Sequence, residues 1–101
     1  MKIIKFGLSE EANPNKLIVP DDFTPISAHM QNGGGIAIWG ETYFESPRDA
    51  PQRTMYVFTI GTGWEVKRDR AASYFLGTVI DGVYVWHFYW SWIDGAITLP
   101  S

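Results

Sequence analysis

The chain is expected to fold as a mainly β domain with at most one short helix. The strands would form a single small antiparallel sheet or a compact sandwich or barrel of about six to eight strands. Three observations predict this. Runs of β-branched and aromatic residues recur at short intervals, each bounded by Gly, Pro, Asn or Asp. Residue pairs that tolerate positive φ separate several of these runs. No uninterrupted window of helical length carries apolar residues at three- and four-residue spacing without a glycine or proline intervening.

In chain order the candidate strands are Lys2 to Phe6, Lys16 to Val19, Ile26 to Gln31 and Ile36 to Phe44. They continue with Arg53 to Ile60, Tyr74 to Ile80, Val83 to Trp92 and a short last segment, Ala96 to Leu99. Asn32-Gly33-Gly34-Gly35 predicts one hairpin and Asp81-Gly82 a second, the latter as a two-residue type I′ loop. Asp94-Gly95 offers the last strand a return. Ser9 to Asn15 reads as a polar turn, and Asp21-Asp22, between Pro20 and Phe23, as a polar turn entering the next strand. Two longer connections remain, Glu45 to Gln52 and Gly61 to Ala72. Residues 65 to 72 lack glycine and proline, so a helical turn and an irregular loop are both open there.

A length of 101 residues suits one β-rich domain spanning 1–101. The apolar fraction of 46% and aromatic fraction of 16% supply a packed interior and argue against disorder. Acidic residues exceed basic ones by 11 to 8, for a net charge of −3, so the surface as a whole does not attract nucleic acid. The absence of cysteine excludes disulfides, thiolate zinc sites and a cysteine nucleophile, and fits a reducing, cytoplasmic location. Met1 to Phe6 interleaves charges with apolar residues, unlike a secretion signal. Val83 to Trp92 is broken by His87 and Ser91 and is far shorter than a membrane helix of about 20 residues. A soluble protein without a membrane partner is expected.

Strand alternation places Tyr84, Trp86, Phe88 and Trp90 on one face and Val83, Val85, His87 and Tyr89 on the other. Met55 and Val57 likewise oppose Tyr56, Phe58 and Ile60. Both faces are apolar, as in a central strand covered on two sides or one forming a subunit contact. Covering two faces is hard for so short a chain, so a homo-oligomer is expected, with His87, Tyr89, Trp90 and Trp92 as candidate interface residues.

Gly61-Thr62-Gly63-Trp64 leaves a strand and precedes Lys67, Arg68 and Arg70. Backbone amides and cations could gather phosphate oxygens there while Trp64 stacks on a base. The competing account is a tight bend leaving a strand. The two histidines, His29 and His87, cannot make a structural zinc site alone, and a hydrogen-bonded His87 inside the core or interface is the simpler account. The serines lack a nucleophile-elbow pattern. No catalytic residue, metal or cofactor is assigned. Trp64, Trp90 and Trp92 could present a stacking surface, with core packing as the alternative; Trp64 is the most informative because it sits in a loop.

Several motifs carry a further indication. Ala28-His29-Met30-Gln31-Asn32-Gly33, a strand ending in Trp39, Phe58-Thr59-Ile60-Gly61-Thr62-Gly63, Gly77-Thr78-Val79 and Val85-Trp86-His87 occur in that order. Over Lys5 to Tyr89 the chain resembles a family of small uncharacterised proteins of tailed bacteriophages and prophages. Many of those place histidine directly after Gly-Thr-Gly, where this chain has Trp64. The resemblance implies a viral accessory origin and a compact β fold, and no catalytic residue. In that frame the leading expectation is an interaction protein that counters host defence by binding a host protein. The alternatives are a sponge for a host nucleotide signal, held by Gly61 to Arg70, and an enzyme that degrades such a signal.

Overall fold

Short β-prone segments that turn back on themselves satisfy their backbone polar groups by antiparallel pairing, and the computed structural model, which describes residues 1–100, does this throughout. Its nine strands are β1 (Lys2–Gly7), β2 (Asn15–Pro20), β3 (Thr24–Met30), β4 (Ile36–Thr42), β5 (Gln52–Gly61), β6 (Lys67–Arg68), β7 (Tyr74–Asp81), β8 (Tyr84–Ser91) and β9 (Ile97–Thr98). Sheet one has the order β1-β4-β3, sheet two the order β2-β5-β8-β7, and β6 pairs with β9 as a separate ribbon. The expected mainly β class is what is observed. No helix among the described residues is long and apolar enough to cross a membrane.

The two larger sheets enclose the main core. Ala28 and Ile38 come from sheet one, Val19, Met55, Val57, Leu76, Val79 and Phe88 from sheet two, and Phe23 from the β2–β3 connection. Phe23 fits because Gly40 on β4 has no side chain: a Cβ there would collide with the Phe23 ring and lie 2.6 Å from the Thr24 carbonyl oxygen. The neighbouring Asp22 ties this connection to the end of β4. Its carboxylate accepts from the Thr42 hydroxyl at 2.6 Å and the Tyr43 amide at 2.8 Å. Those two bonds favour the charged form and hold its pKa below the usual carboxylate range, against a smaller opposing effect of desolvation. On the other side, β3 and β7 approach where Gly77 faces Ala28. Each of these strands carries a register shift, at Pro25/Ser27 and at Phe75/Gly77. Such bulges bend sheet edges and disrupt the regular ladder that could recruit another strand.

The outer face of sheet two has its own cover. Phe58, Ile60 and Ile97 are buried together, with Tyr56, Val66, Tyr89 and Leu99 packed against them. The β6–β9 ribbon therefore covers the second apolar face from within the same chain. Two buried serines fasten it: Ser73 Oγ donates to the Asp69 carbonyl at 2.6 Å, and Ser91 Oγ donates to the Ala72 carbonyl at 2.5 Å. No buried side-chain polar atom among the described residues lacks a hydrogen-bond partner.

One open alternative is resolved and two local expectations are corrected. Residues 65 to 72 form no α-helical turn, because Lys67 and Arg68 pair with Thr98 and Ile97. The Asp94-Gly95 step is a 3₁₀ turn, Asp94–Ala96, and the strand after it joins β6 rather than returning along β8. In the second hairpin Asp81 pairs with Tyr84, so Gly82-Val83 forms the two-residue loop. Gly82 has φ +61° and no described non-glycine residue has positive φ. That is the type II′ pattern, since type I′ would force positive φ on Val83 as well.

Candidate functional site

Alternation along β8 divides its aromatic residues between two surfaces. Trp86, Phe88 and Trp90 face the main core, while His87 and Tyr89 face the ribbon side with Ile60 and Phe58 opposite them. At one end of the sandwich the inner surface opens into a cleft of about 500 Å³. One wall is the β1–β2 connection, Leu8 to Asn13. The β3–β4 turn contributes Met30, Gly35 and Ile36, and the β7–β8 hairpin Asp81 and Tyr84. Thr59, Trp64, Trp86 and Phe88 complete the lining.

The first wall is shaped by Asn15, which is 5% exposed. Its side-chain amide donates to the carbonyls of Ser9 and Ala12, each at 3.0 Å, and its oxygen accepts from the Ser9 amide at 2.8 Å. Asn13 closes the same wall against β5, donating to the Thr59 carbonyl at 2.7 Å and accepting from the Thr59 amide at 2.9 Å. The pair extends the β2–β5 ladder beyond Asn15 and Val57 by a side chain acting as backbone.

The aromatic wall depends on the Gly61-Thr62-Gly63-Trp64 turn. The Trp64 amide donates to the Gly61 carbonyl at 3.1 Å, and Gly63 supplies φ +89° at the third position, as a type II turn requires. The Trp64 ring then folds back over Gly61, where a Cβ would lie 2.7 Å from it. Trp64 meets Trp86 edge-on at 5.9 Å and 75°, and Tyr84 stacks on Trp86 at 5.8 Å and 16°. Trp64 is 43% exposed and Tyr84 61%. The bend reading of Gly-Thr-Gly is therefore correct for the backbone, and the bend delivers an indole to the cleft.

A shallower depression of about 270 Å³ lies on the outer face. It is lined by Ile60 to Trp64, Val66, Arg68, His87 and Tyr89. Gly61, Thr62, Gly63, Trp64 and Arg68 thus come together with His87 and Tyr89, whereas Lys67 and Arg70 lie outside that lining and are exposed. The Arg68 guanidinium donates to the Ser73 carbonyl at 3.1 Å and its hydroxyl at 3.3 Å, and sits 4.9 Å from the Tyr89 ring centroid. His87 is held between two threonines. Thr62 Oγ1 lies 2.8 Å from Nε2 and Thr78 Oγ1 lies 3.0 Å from Nδ1. A hydroxyl can donate or accept, so this bracket accommodates either tautomer.

Trp90 and Trp92 pack against the main core at the far end of β8. Tyr74 lies 4.7 Å from Trp90, and the Arg53 guanidinium lies 3.9 Å from the Trp92 ring centroid. His29 is exposed and meets Trp39 edge-on at 6.0 Å. No group of three or more metal-ligating side chains occurs among the described residues.

Sequence reasoning placed Trp64 among the site residues but passed over Tyr84 and Trp86, and it assigned Glu10, Asn13 and Asp81 only to turns. The available signal was the alternation that put Tyr84 and Trp86 on one face, beside a hairpin ending at that face. No curated protein and no solved structure matches the chain. A family model matches residues 1–96, and the chain accordingly belongs to the family described as Domain of unknown function (DUF7352).

Proposed function

We propose that this protein is a small binding module that acts by occupying a partner protein through its aromatic cleft. The observation that carries this reading is the exposure of Tyr84 and Trp64 at a cleft of about 500 Å³. Aromatic rings dominate the energetics of protein interfaces, and exposed apolar surface beside a concavity is characteristic of binding sites. The hairpin tip extends the apolar rim, with Ile80 71% and Val83 90% exposed. The resemblance to small tailed-phage proteins supplies a setting: a phage-encoded accessory protein in the host cytosol that counters a defence by engaging a host protein.

The rival roles have less behind them. Sequestering a nucleotide calls for several cations on one ligand, yet of Lys67, Arg68 and Arg70 only Arg68 lines the outer depression, and its guanidinium is engaged by Ser73 and Tyr89. Degrading a signal calls for a base oriented by a third group. His87 does have a hydroxyl on each ring nitrogen, but both partners are neutral threonines and no carboxylate lines that depression to stabilise an imidazolium.

The test is affinity capture of the tagged protein from a bacterial host, with native mass spectrometry of the product. Tyr84→Ala and Val83→Asp change only the exposed hairpin. Both are expected to lose the partner while their melting temperatures stay within about 4 °C of the parent's, the shift produced by roughly 1 kcal/mol in a domain this size. Retention of the partner by both variants, or its loss only when the variant unfolds, would overturn the assignment.

A further inference from the structure

The aromatic residues of β8 and the segment that follows it are treated differently at the two ends of the strand. At one end Arg53 lies 3.9 Å from the Trp92 ring centroid. Midway, Arg68 lies 4.9 Å from that of Tyr89. At the cleft end Trp86 stands between Tyr84 and Trp64, and no lysine, arginine or histidine lines the cleft. Two carboxylates, Glu10 and Asp81, line it instead. An aromatic ring attracts a cation to its electron-rich face, and rings that meet at steep angles present faces from more than one direction. Nearby carboxylates add charge of the sign a cation needs. They also repel phosphate and carboxylate ligands.

We propose that the cleft is a receptor for a cationic side chain, an arginine or lysine presented by a basic segment of the partner, held against Trp64, Tyr84 and Trp86 with Glu10 and Asp81 as counter-charges. This rests on the binding-module reading and names the chemistry of its ligand. The chain already seats two of its own guanidinium groups on aromatic rings, and the cleft offers the same surface with the cation left for a partner to bring. Both carboxylates are exposed, so salt weakens their attraction, and affinity falls as ionic strength rises.

The experiment follows the indole Nε1–H signals of Trp64 and Trp86 by NMR. The probes are Nα-acetyl-arginine amide and tetramethylammonium chloride, with sodium chloride at equal ionic strength as the blank. Methyl glucoside and adenosine monophosphate serve as neutral and anionic comparators. The expected result is a saturable shift of both indoles with the two cations and none with the blank. The combined Glu10→Gln and Asp81→Asn variant should bind the cations about three- to tenfold more weakly, in line with the modest strength of exposed charge pairs. Neither carboxylate is buried, so that variant is expected to fold as the parent does. Saturation by the glucoside or the nucleotide without response to cations would overturn the ligand class while leaving a binding cleft. Silence toward every probe would also overturn it. The binding-module reading would still stand if Tyr84→Ala abolished partner capture, so the two failures are distinguishable.

Discussion

Asn15→Ala is expected to destabilise the protein by about 2–4 kcal/mol, because one buried amide organises the whole β1–β2 connection. Asn15 is 5% exposed and makes three hydrogen bonds, at 2.8, 3.0 and 3.0 Å, to Ser9 and Ala12. A typical intramolecular hydrogen bond contributes roughly 0.5–1.5 kcal/mol net, and a buried partner left unpaired costs more. Alanine removes all three bonds at once, and water can replace only part of them, since Ser9 is exposed and Ala12 half-buried. Against a total stability of about 5–15 kcal/mol for a small domain, that is a large fraction. Urea denaturation is the assay: the midpoint should fall by about 1–2 M with an unchanged slope, given slopes of roughly 1–3 kcal/mol per M. Asn15→Asp separates shape from bonding. It keeps an acceptor for the Ser9 amide but turns a carboxylate toward the Ser9 and Ala12 carbonyls, and at neutral pH should be at least as damaging. The Ser9 amide should lose hydrogen-exchange protection in both. A midpoint for Asn15→Ala within the equivalent of about 0.5 kcal/mol of the parent, the range of neutral surface changes, would refute the reasoning.

Gly40→Ala places a methyl group against the Phe23 ring and the Thr24 carbonyl oxygen. Because Phe23 is 2% exposed, the loss should be about 1–3 kcal/mol or more by denaturation. Gly7→Ala, with nothing within 4 Å of its Cβ, should change stability by less than about 0.5 kcal/mol; equal effects would discredit the packing argument. Arg68→Ala removes both bonds to Ser73 and the contact with Tyr89, and should cost about 1–3 kcal/mol, whereas Lys67→Ala and Arg70→Ala should be nearly neutral. If all three behaved alike in denaturation, Arg68 would have no special structural part. Asp22 contributes to acid stability, since its pKa is lowered chiefly by the Thr42 hydroxyl and then by the Tyr43 amide. As pH falls, the unfolded chain binds the proton first. The stabilisation is therefore complete above the ordinary carboxylate pKa, about pH 4, and is lost as pH drops through the lowered folded value. The difference in melting temperature between parent and Asp22→Asn should shrink across that interval; a constant difference from pH 6 to pH 2 would rule out the carboxylate as its source.

Much of the candidate site was within reach of the sequence, though not its assembly. Positive-φ glycines and strand alternation are local properties, so the Gly-Thr-Gly turn, the exposed Trp64 and the shared face of Tyr84 and Trp86 could all be read from residue order. Asp81 and Glu10 could not be recognised as charges on a cleft, because one lies in a hairpin and the other in a turn far away in the chain. The basic stretch is divided for a similar reason. Neighbouring strand residues point to opposite sides, so once Lys67 and Arg68 pair with the last strand, only one of them can face Tyr89.

The sequence by itself determined the β class, the limits of the seven longer strands to within about two residues, and the two hairpins, because these follow from side-chain alternation and from turn residues acting over a few positions. It also determined that both faces of the central strands are apolar. Only the tertiary structure decided what covers those faces: sheet one on the inside and the β6–β9 ribbon on the outside. The pairing of two-residue strands about thirty positions apart is set by the burial of Ile97 and its neighbours against Phe58 and Ile60, an energy that no local preference of Lys67 or Arg68 encodes. The cleft belongs to the same category, since its walls come from four separate turns that the packing of the two sheets brings to one end.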